Sequence, residues 1–442
     1  MEAYYAAMLP SPTPTIAVDK LSYEIFSLLE TKFLFGAAGA GAPARLLDGG
    51  RVRVLAIDGC GAGADDALLA AAALARLEAR LRDQTGDPDA RVADFFDLAA
   101  GAGAGAVLAA MLLLRGADGR PRYTAAEALA FVAGSSSGGS KGGWGGRRGR
   151  WAKLFRGGGD RAFRRVFGDA TLRDTVAPLL VPCYDLATAA PFVFSRADAV
   201  ETDAFDFRLR DVCAATCGVA RVRSVDGVTA IAAASGGVAA MGNPAAAAVT
   251  HVLHNKQEFP LANGVDDVLV LSIGAGASAA AVSGHGEATP MPTRRSPSPR
   301  ELARVTAEGV ADMVDESLAM AFGHACGTNY VRLQAGKAAA LALADAEAAA
   351  AAAGAMLAQR NVESVLFRGR RLSERTNAEK VDALVAELVK EQERRRRSPL
   401  PNVAIKQVAT PRLSSATTAS SGTATARTAS TMPSPASWDS RR

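Results

Sequence analysis

Cysteine and histidine are scarce in this chain of 442 residues, with five of the first and four of the second. The cysteines, at 60, 183, 213, 217 and 326, form an odd and widely spaced set. That excludes a disulfide framework and points to a reducing compartment. Cys213 and Cys217 are four apart, yet no second Cys or His pair stands near them to complete a zinc site. His251 and His254 are three apart, and no carboxylate is spaced to join them, so no metal is expected. Aromatic residues are few, at 6%. The uncharged run Leu98–Leu114 approaches bilayer length, but its first half is a glycine run suited to a turn, so no membrane span is expected. The opening MEAYYAAMLPSPTP carries Glu2 and lacks a basic-then-apolar pattern, which argues against a secretory signal. The expected location is cytoplasmic, at most peripheral at membranes.

The net charge of +5 does not describe the body of the protein. From Arg394 onward, eight Arg and one Lys face a single Asp, so Met1–Glu393 is acidic overall. A nucleic-acid-binding domain carries its charge on a folded face, and no nucleic-acid partner is expected. Residues 396–442, rich in Ser and Thr beyond Thr410, read as a disordered basic tail. Residues 1–50 read as an extension with a short amphipathic helix over Asp19–Phe35. Residues 51–395 read as one domain. Its motif core spans 52–280, and a helical remainder spans 300–395, including an alanine-rich segment around Ala338–Leu357.

Alanine and glycine dominate, and the glycines are grouped. RVRVLAID reads as a strand that stops at Gly59–Gly63, and the following ADDALLAAAALARLEARLRDQTG reads as a helix. DFFDLAA is a second short apolar run that meets Gly101–Gly105 and then the helical AVLAAMLLL. This strand–turn–helix pattern, twice within 60 residues, predicts an α/β sheet with crossover helices. PFVFSRA, TAIAAA and VDDVLVLSIGAG read as further strands, and DFRLRDVCAATCGV as a helix. Glycine loops at strand carboxyl ends line the usual ligand crevice of such a sheet. Their N–H groups, with helix N-termini behind them, favour a carboxylate, a phosphate or a developing oxyanion. The expected pocket is Asp58, Gly59, Cys60, Gly61, Gly101, Gly105, Gly236 and Gly237.

The order of these elements resembles the patatin-like lipid acyl hydrolases, whose pattern is DGGGxRG, then GxSxG, then DGG or DGA. Asp58-Gly59-Cys60-Gly61 matches the first. Gly101-Ala102-Gly103-Ala104-Gly105 stands in place of the second, as in the plant group III branch, which carries GxGxG there. Ser235-Gly236-Gly237-Val238, with Asn243-Pro244, stands where the third belongs, and LSIGAG is similar to the glycine-ended strand beyond it. The likeness covers roughly Val52–Asn377. It implies a three-layer α/β/α sandwich with a mostly parallel sheet. It also implies hydrolysis of phospholipid or galactolipid esters, without a cofactor, with an oxyanion hole from Gly59, Cys60 and Gly61. Gly103 occupies the nucleophile position and Ser235 the position of the dyad aspartate, so both reactive side chains are missing. In the first motif, the family's arginine is replaced by Gly63.

Other nucleophiles fit less well. Ser136 lies in a literal GxSxG, but it follows a helical pattern where an elbow needs a strand. Ser278 follows LSIGAG, Ser235 has only Gly103 as its partner, and Cys60 reads best as a small residue replacing glycine. The runs 59–64 and 101–106 also fit a dinucleotide fingerprint, but neither is followed by a strand ending in an acid about 20 residues on. A basic, aromatic stretch at 141–165, with Trp144, Arg147, Arg148 and Trp151, and the run Arg394–Arg397 before Ser398-Pro399 suit an anionic membrane surface. The expected activity is lipid acyl hydrolysis of a weak or altered kind. The rival readings are a lipid-binding regulatory protein without turnover and a dinucleotide binder.

Overall fold

Val52–Ile57, VRVLAI, has apolar residues on both alternating sets and no breaker, and all six residues are buried as strand β1. A strand with two apolar faces belongs inside a sheet covered on both sides. In the computed structural model, which describes residues 50–59, 65–136, 159–235, 241–274, 296–334, 351, 354–365, 369–398 and 403–404, β1 lies inside such a sheet. The other strands are β2 (Leu98–Gly101), β3 (Leu179–Asp185), β4 (Ala190–Ser195), β5 (Val219–Arg223), β6 (Ala230–Ser235), β7 (Val268–Ile273) and β8 (Tyr330–Leu333). They run in the order β5-β6-β3-β2-β1-β7-β8, with β4 paired to β3. The four pairings from β3 through β8 are parallel. Those of β3 with β4 and β6, and of β5 with β6, are antiparallel.

The helices are α1 (Asp65–Thr85), α2 (Gly103–Leu113), α3 (Ala125–Ser136), α4 (Gly159–Phe167), α5 (Arg196–Glu201), α6 (Leu209–Cys217), α7 (Ala245–His254), α8 (Pro299–Phe322) and α9 (Asn377–Arg397). One core joins Leu55 and Ile57 to α1, α2, α3, α6 and α9. The other joins Val54 and Ala56 to α7 and α8. Alternate β1 side chains therefore enter different cores, which makes the expected three layers. No described helix is long and apolar enough to cross a membrane.

The helical reading of 300–395 needs correction. α8 and α9 are there, but β8 and the hairpin of β9 (Arg360–Val365) and β10 (Gly369–Thr376) interrupt them. Four residues are too few for β8 to show a period, and β9 and β10 are rich in Arg and Glu, which are common on helices. Helix α9 ends in the run Arg394–Arg397. Arg395 folds back onto the sheet and grips both Asp97 oxygens at 2.6 Å, so part of that run is held internally. The segments 1–49, 137–158 and 405–442, and most of the alanine-rich stretch, lie outside the described residues.

Candidate functional site

The site grows from the carboxyl ends of β1 and β2. Beyond β1, Asp58 N–H donates to Ile273 O at 2.9 Å, which keeps the chain in register with β7. Gly59 N–H donates to Gly242 O at 3.1 Å, so its amide is already engaged. A Cβ at Gly59 would fall 1.8 Å from Ala102 O, and only glycine allows this approach. Beyond β2, Ala102 leads into α2, whose first residue is Gly103 at φ +51°. A left-handed residue between strand and helix is the backbone of a nucleophile elbow. Here the elbow carries no side chain.

The first turn of α2 divides its donors. Gly103 N–H donates to Thr216 Oγ1 of α6 at 2.9 Å, while Gly105 and Ala106 N–H donate to Ala102 O. The N–H of Ala104 has no acceptor among the described residues. It sits at the positive end of α2 beside the empty elbow, where an anionic oxygen is favoured. A Cβ at Gly101 or Gly105 would strike Ala106 or the carbonyl of Ile57. Those glycines pack backbone against backbone, Gly101 under Ala106 and Gly105 against the end of β1.

Ser235 ends β6 opposite Cys183 of β3, and β3 separates it from β2. It therefore reaches the same rim two strands away, about 10 Å in sheet spacing. Of the expected pocket, the structure brings the backbones of Gly59, Gly101 and Gly105 together with Gly103, the expected nucleophile position, whereas the Asp58 side chain turns to Arg332 on the other face. Cys60, Gly61, Gly236, Gly237, Ser278, Trp144, Arg147, Arg148 and Trp151 lie outside the described residues. Ser136 is the last residue of α3, so no strand precedes it. His251 approaches Glu258 at 3.8 Å, and among the described residues no group suited to a metal is found. Burial pushes the Cys183 thiol, beside Thr216, up to about 12, which makes it a poor nucleophile.

Asp58 has a partner that sequence reasoning missed. Arg332 of β8 donates from Nη1 to Oδ1 at 3.0 Å and from Nη2 to Oδ2 at 2.6 Å. Nη1 also donates to Ser272 Oγ of β7 at 2.7 Å. Behind them, Tyr330 O–H donates to Asp315 of α8 at 2.7 Å, and that carboxylate stands 4.0 Å from Arg332 Nε. Burial raises the Asp58 carboxyl to about 6, against the pull of Arg332. The only sequence signal was a lone arginine inside the apolar YVRL.

A family model described as patatin-like phospholipase matches residues 55–249. The chain is 52% identical over 401 residues to patatin-like protein 3 of Oryza sativa subsp. indica, covering 86% of this chain and 92% of that one. It is 42% identical over 428 residues to patatin-like protein 7 of Arabidopsis thaliana, covering 89% and 85%. It is also 40% identical over 399 residues to an Arabidopsis thaliana protein named probable inactive patatin-like protein 9, covering 84% and 93%.

Proposed function

The chain belongs to the patatin-like phospholipase family, and from that premise we propose that it binds acyl-ester lipids, phospholipids or galactolipids, at the Gly59–Gly103 rim and hydrolyses them slowly without a side-chain nucleophile. One observation carries this reading: the turn at Gly103 has a left-handed backbone beside the N–H of Ala104, which has no acceptor among the described residues. An ester carbonyl oxygen set against that N–H gains as negative charge develops on it. The amides of Cys60 and Gly61 are the further donors, while Gly59 serves by close approach. Water attacks the carbonyl in place of a serine and, with no carboxylate at position 235, passes its proton to a second water molecule. The acyl C–O bond then breaks, the alcohol leaves with a proton from solvent, and the free fatty acid remains. Loss of the reacting side chains typically leaves roughly 10³–10⁴ over the uncatalysed rate from such electrostatics and binding.

The same missing side chains support a second reading, a lipid-binding regulatory protein without turnover. One assay separates the two. The natural sequence is compared with a Gly103→Ser/Ser235→Asp variant on a fluorogenic phospholipid. Turnover by the natural sequence well above buffer supports the enzyme. Turnover by the variant alone supports the binding protein.

Docking at anionic membranes is proposed through 141–165, with Trp144, Arg147, Arg148 and Trp151, and through Arg396 and Arg397. The supporting features are the basic and aromatic composition of the first segment and the exposure of Arg397 at the end of α9. Co-sedimentation with phosphatidylglycerol vesicles that is unchanged in a Trp144→Ala/Trp151→Ala variant would remove the first segment from this proposal.

A further inference from the structure

We infer that Arg332 is a positioning residue for this rim: through the Asp58 carboxylate it fixes the Asp58–Gly59 strand end against the Gly103 turn. The functional weight of this inference rests on the reading of that turn as the lipid-ester site.

Asp58 and Gly59 are neighbours in the chain but serve different layers. The Gly59 backbone abuts Ala102 and Gly103, where α2 begins. The Asp58 side chain follows Val54 and Ala56 by strand alternation, onto the face covered by α7 and α8. Arg332 meets it there at both oxygens, and a bidentate contact fixes direction as well as distance. The guanidinium is itself confined. Ser272 holds Nη1, Asp315 faces Nε, and a Cβ at Gly274 would fall 2.8 Å from Nη2. β7, β8 and α8 thus converge on the one carboxylate that precedes Gly59.

Stability alone is a poor reason for this arrangement. Asp58 is 3% exposed and Arg332 7%. A buried ion pair of this kind is on balance no better than well-packed apolar residues, because desolvation offsets the attraction. What the pair supplies is a fixed place for the residue that touches the elbow. Gly59 packs so tightly on Ala102 that a shift of its backbone must move the turn at Gly103. Errors of about 1 Å in such a site can lower a rate about 100-fold.

The test separates positioning from stability. A double variant, Asp58→Asn/Arg332→Met, removes both charges, and Arg332→Lys keeps the charge but loses the fork. Three quantities are measured: the urea midpoint, site-resolved hydrogen exchange, and binding to phosphatidylcholine vesicles. In the double variant, the midpoint should stay near that of the natural sequence. The N–H groups of Gly59 and Gly103 should nonetheless exchange at least about tenfold faster, with Val54 and Val270 as unaffected references. Vesicle binding should weaken in parallel. Unchanged exchange at Gly59 and Gly103 in the folded double variant overturns the inference. If the double variant does not fold, the same two amides in Arg332→Lys decide it. Faster exchange with no vesicle binding by any form supports positioning and counts only against the lipid reading.

Discussion

The N–H of Gly103 donates to the Thr216 hydroxyl across 2.9 Å, tying the first turn of α2 to α6 where solvent does not reach. The elbow is therefore braced from behind by a hydroxyl on another element. Thr216→Val keeps the shape and leaves that N–H unpaired. Such a loss costs about 1–3 kcal/mol, and a urea titration should show it as a lowered midpoint with an unchanged slope.

Restoring a serine at the elbow should be tolerated. A Cβ at Gly103 stands 3.0 Å from Gly59 O, tight but short of a collision, and the left-handed backbone adds about 1–2 kcal/mol of strain. Gly103→Ser alone has no base beside it. With Ser235→Asp added, hydrolysis of a fluorogenic phospholipid should rise by roughly 10² or more.

Two glycines should respond in opposite directions. Gly59→Ala drives a methyl group into Ala102 O, and the protein should lose about 4 kcal/mol or more, or fail to fold. Gly309 lies exposed inside α8 with nothing near its missing Cβ. Gly309→Ala should stabilise by about 0.5–1 kcal/mol. Thermal midpoints of the two variants check both statements.

Asp97 and Asp58 should act on acid stability with opposite signs. Burial alone would raise Asp97, but the Arg53 and Arg395 guanidiniums hold its carboxyl down at about 2. Its stabilisation is present above pH 4 and is lost as pH falls from 4 towards 2. Burial raises Asp58 to about 6 in the folded state, so its contribution is present below pH 4 and is lost as pH rises from 4 to 6. Stability measured against pH should therefore fall on both sides of a maximum near pH 4 as far as these two groups govern it. Asp58→Asn should flatten the upper limb and leave the lower one.

The basic end of α9 should divide between structure and surface. Arg395 bridges Asp97 and the carbonyl of Arg51, whereas among the described residues Arg397 approaches only Glu393, at 3.9 Å. Arg395→Ala should cost about 2 kcal/mol or more, because among the described residues Asp97 then keeps Arg53 alone as its cation. Arg397→Ala should change the urea midpoint by less than about 0.5 kcal/mol.

Apolar runs cut off by glycine groups, and the helix formers after them, determined the α/β class from the sequence alone. Short-range spacing was enough because each strand–turn–helix unit is built from neighbouring residues, and that position 103 is a glycine and position 235 a serine needed no coordinates to be seen. The strands of 330–376 were beyond that reach, since four residues or alternating charged ones carry no period that separates strand from helix. The partnership of Asp58 with Arg332, 274 positions apart, was equally hidden. So was the choice of Thr216 to accept the hydrogen bond of the Gly103 N–H. Such pairings depend on which elements become neighbours, and only the fold, by placing β7 beside β1, β8 beside β7 and α6 against the start of α2, decided them.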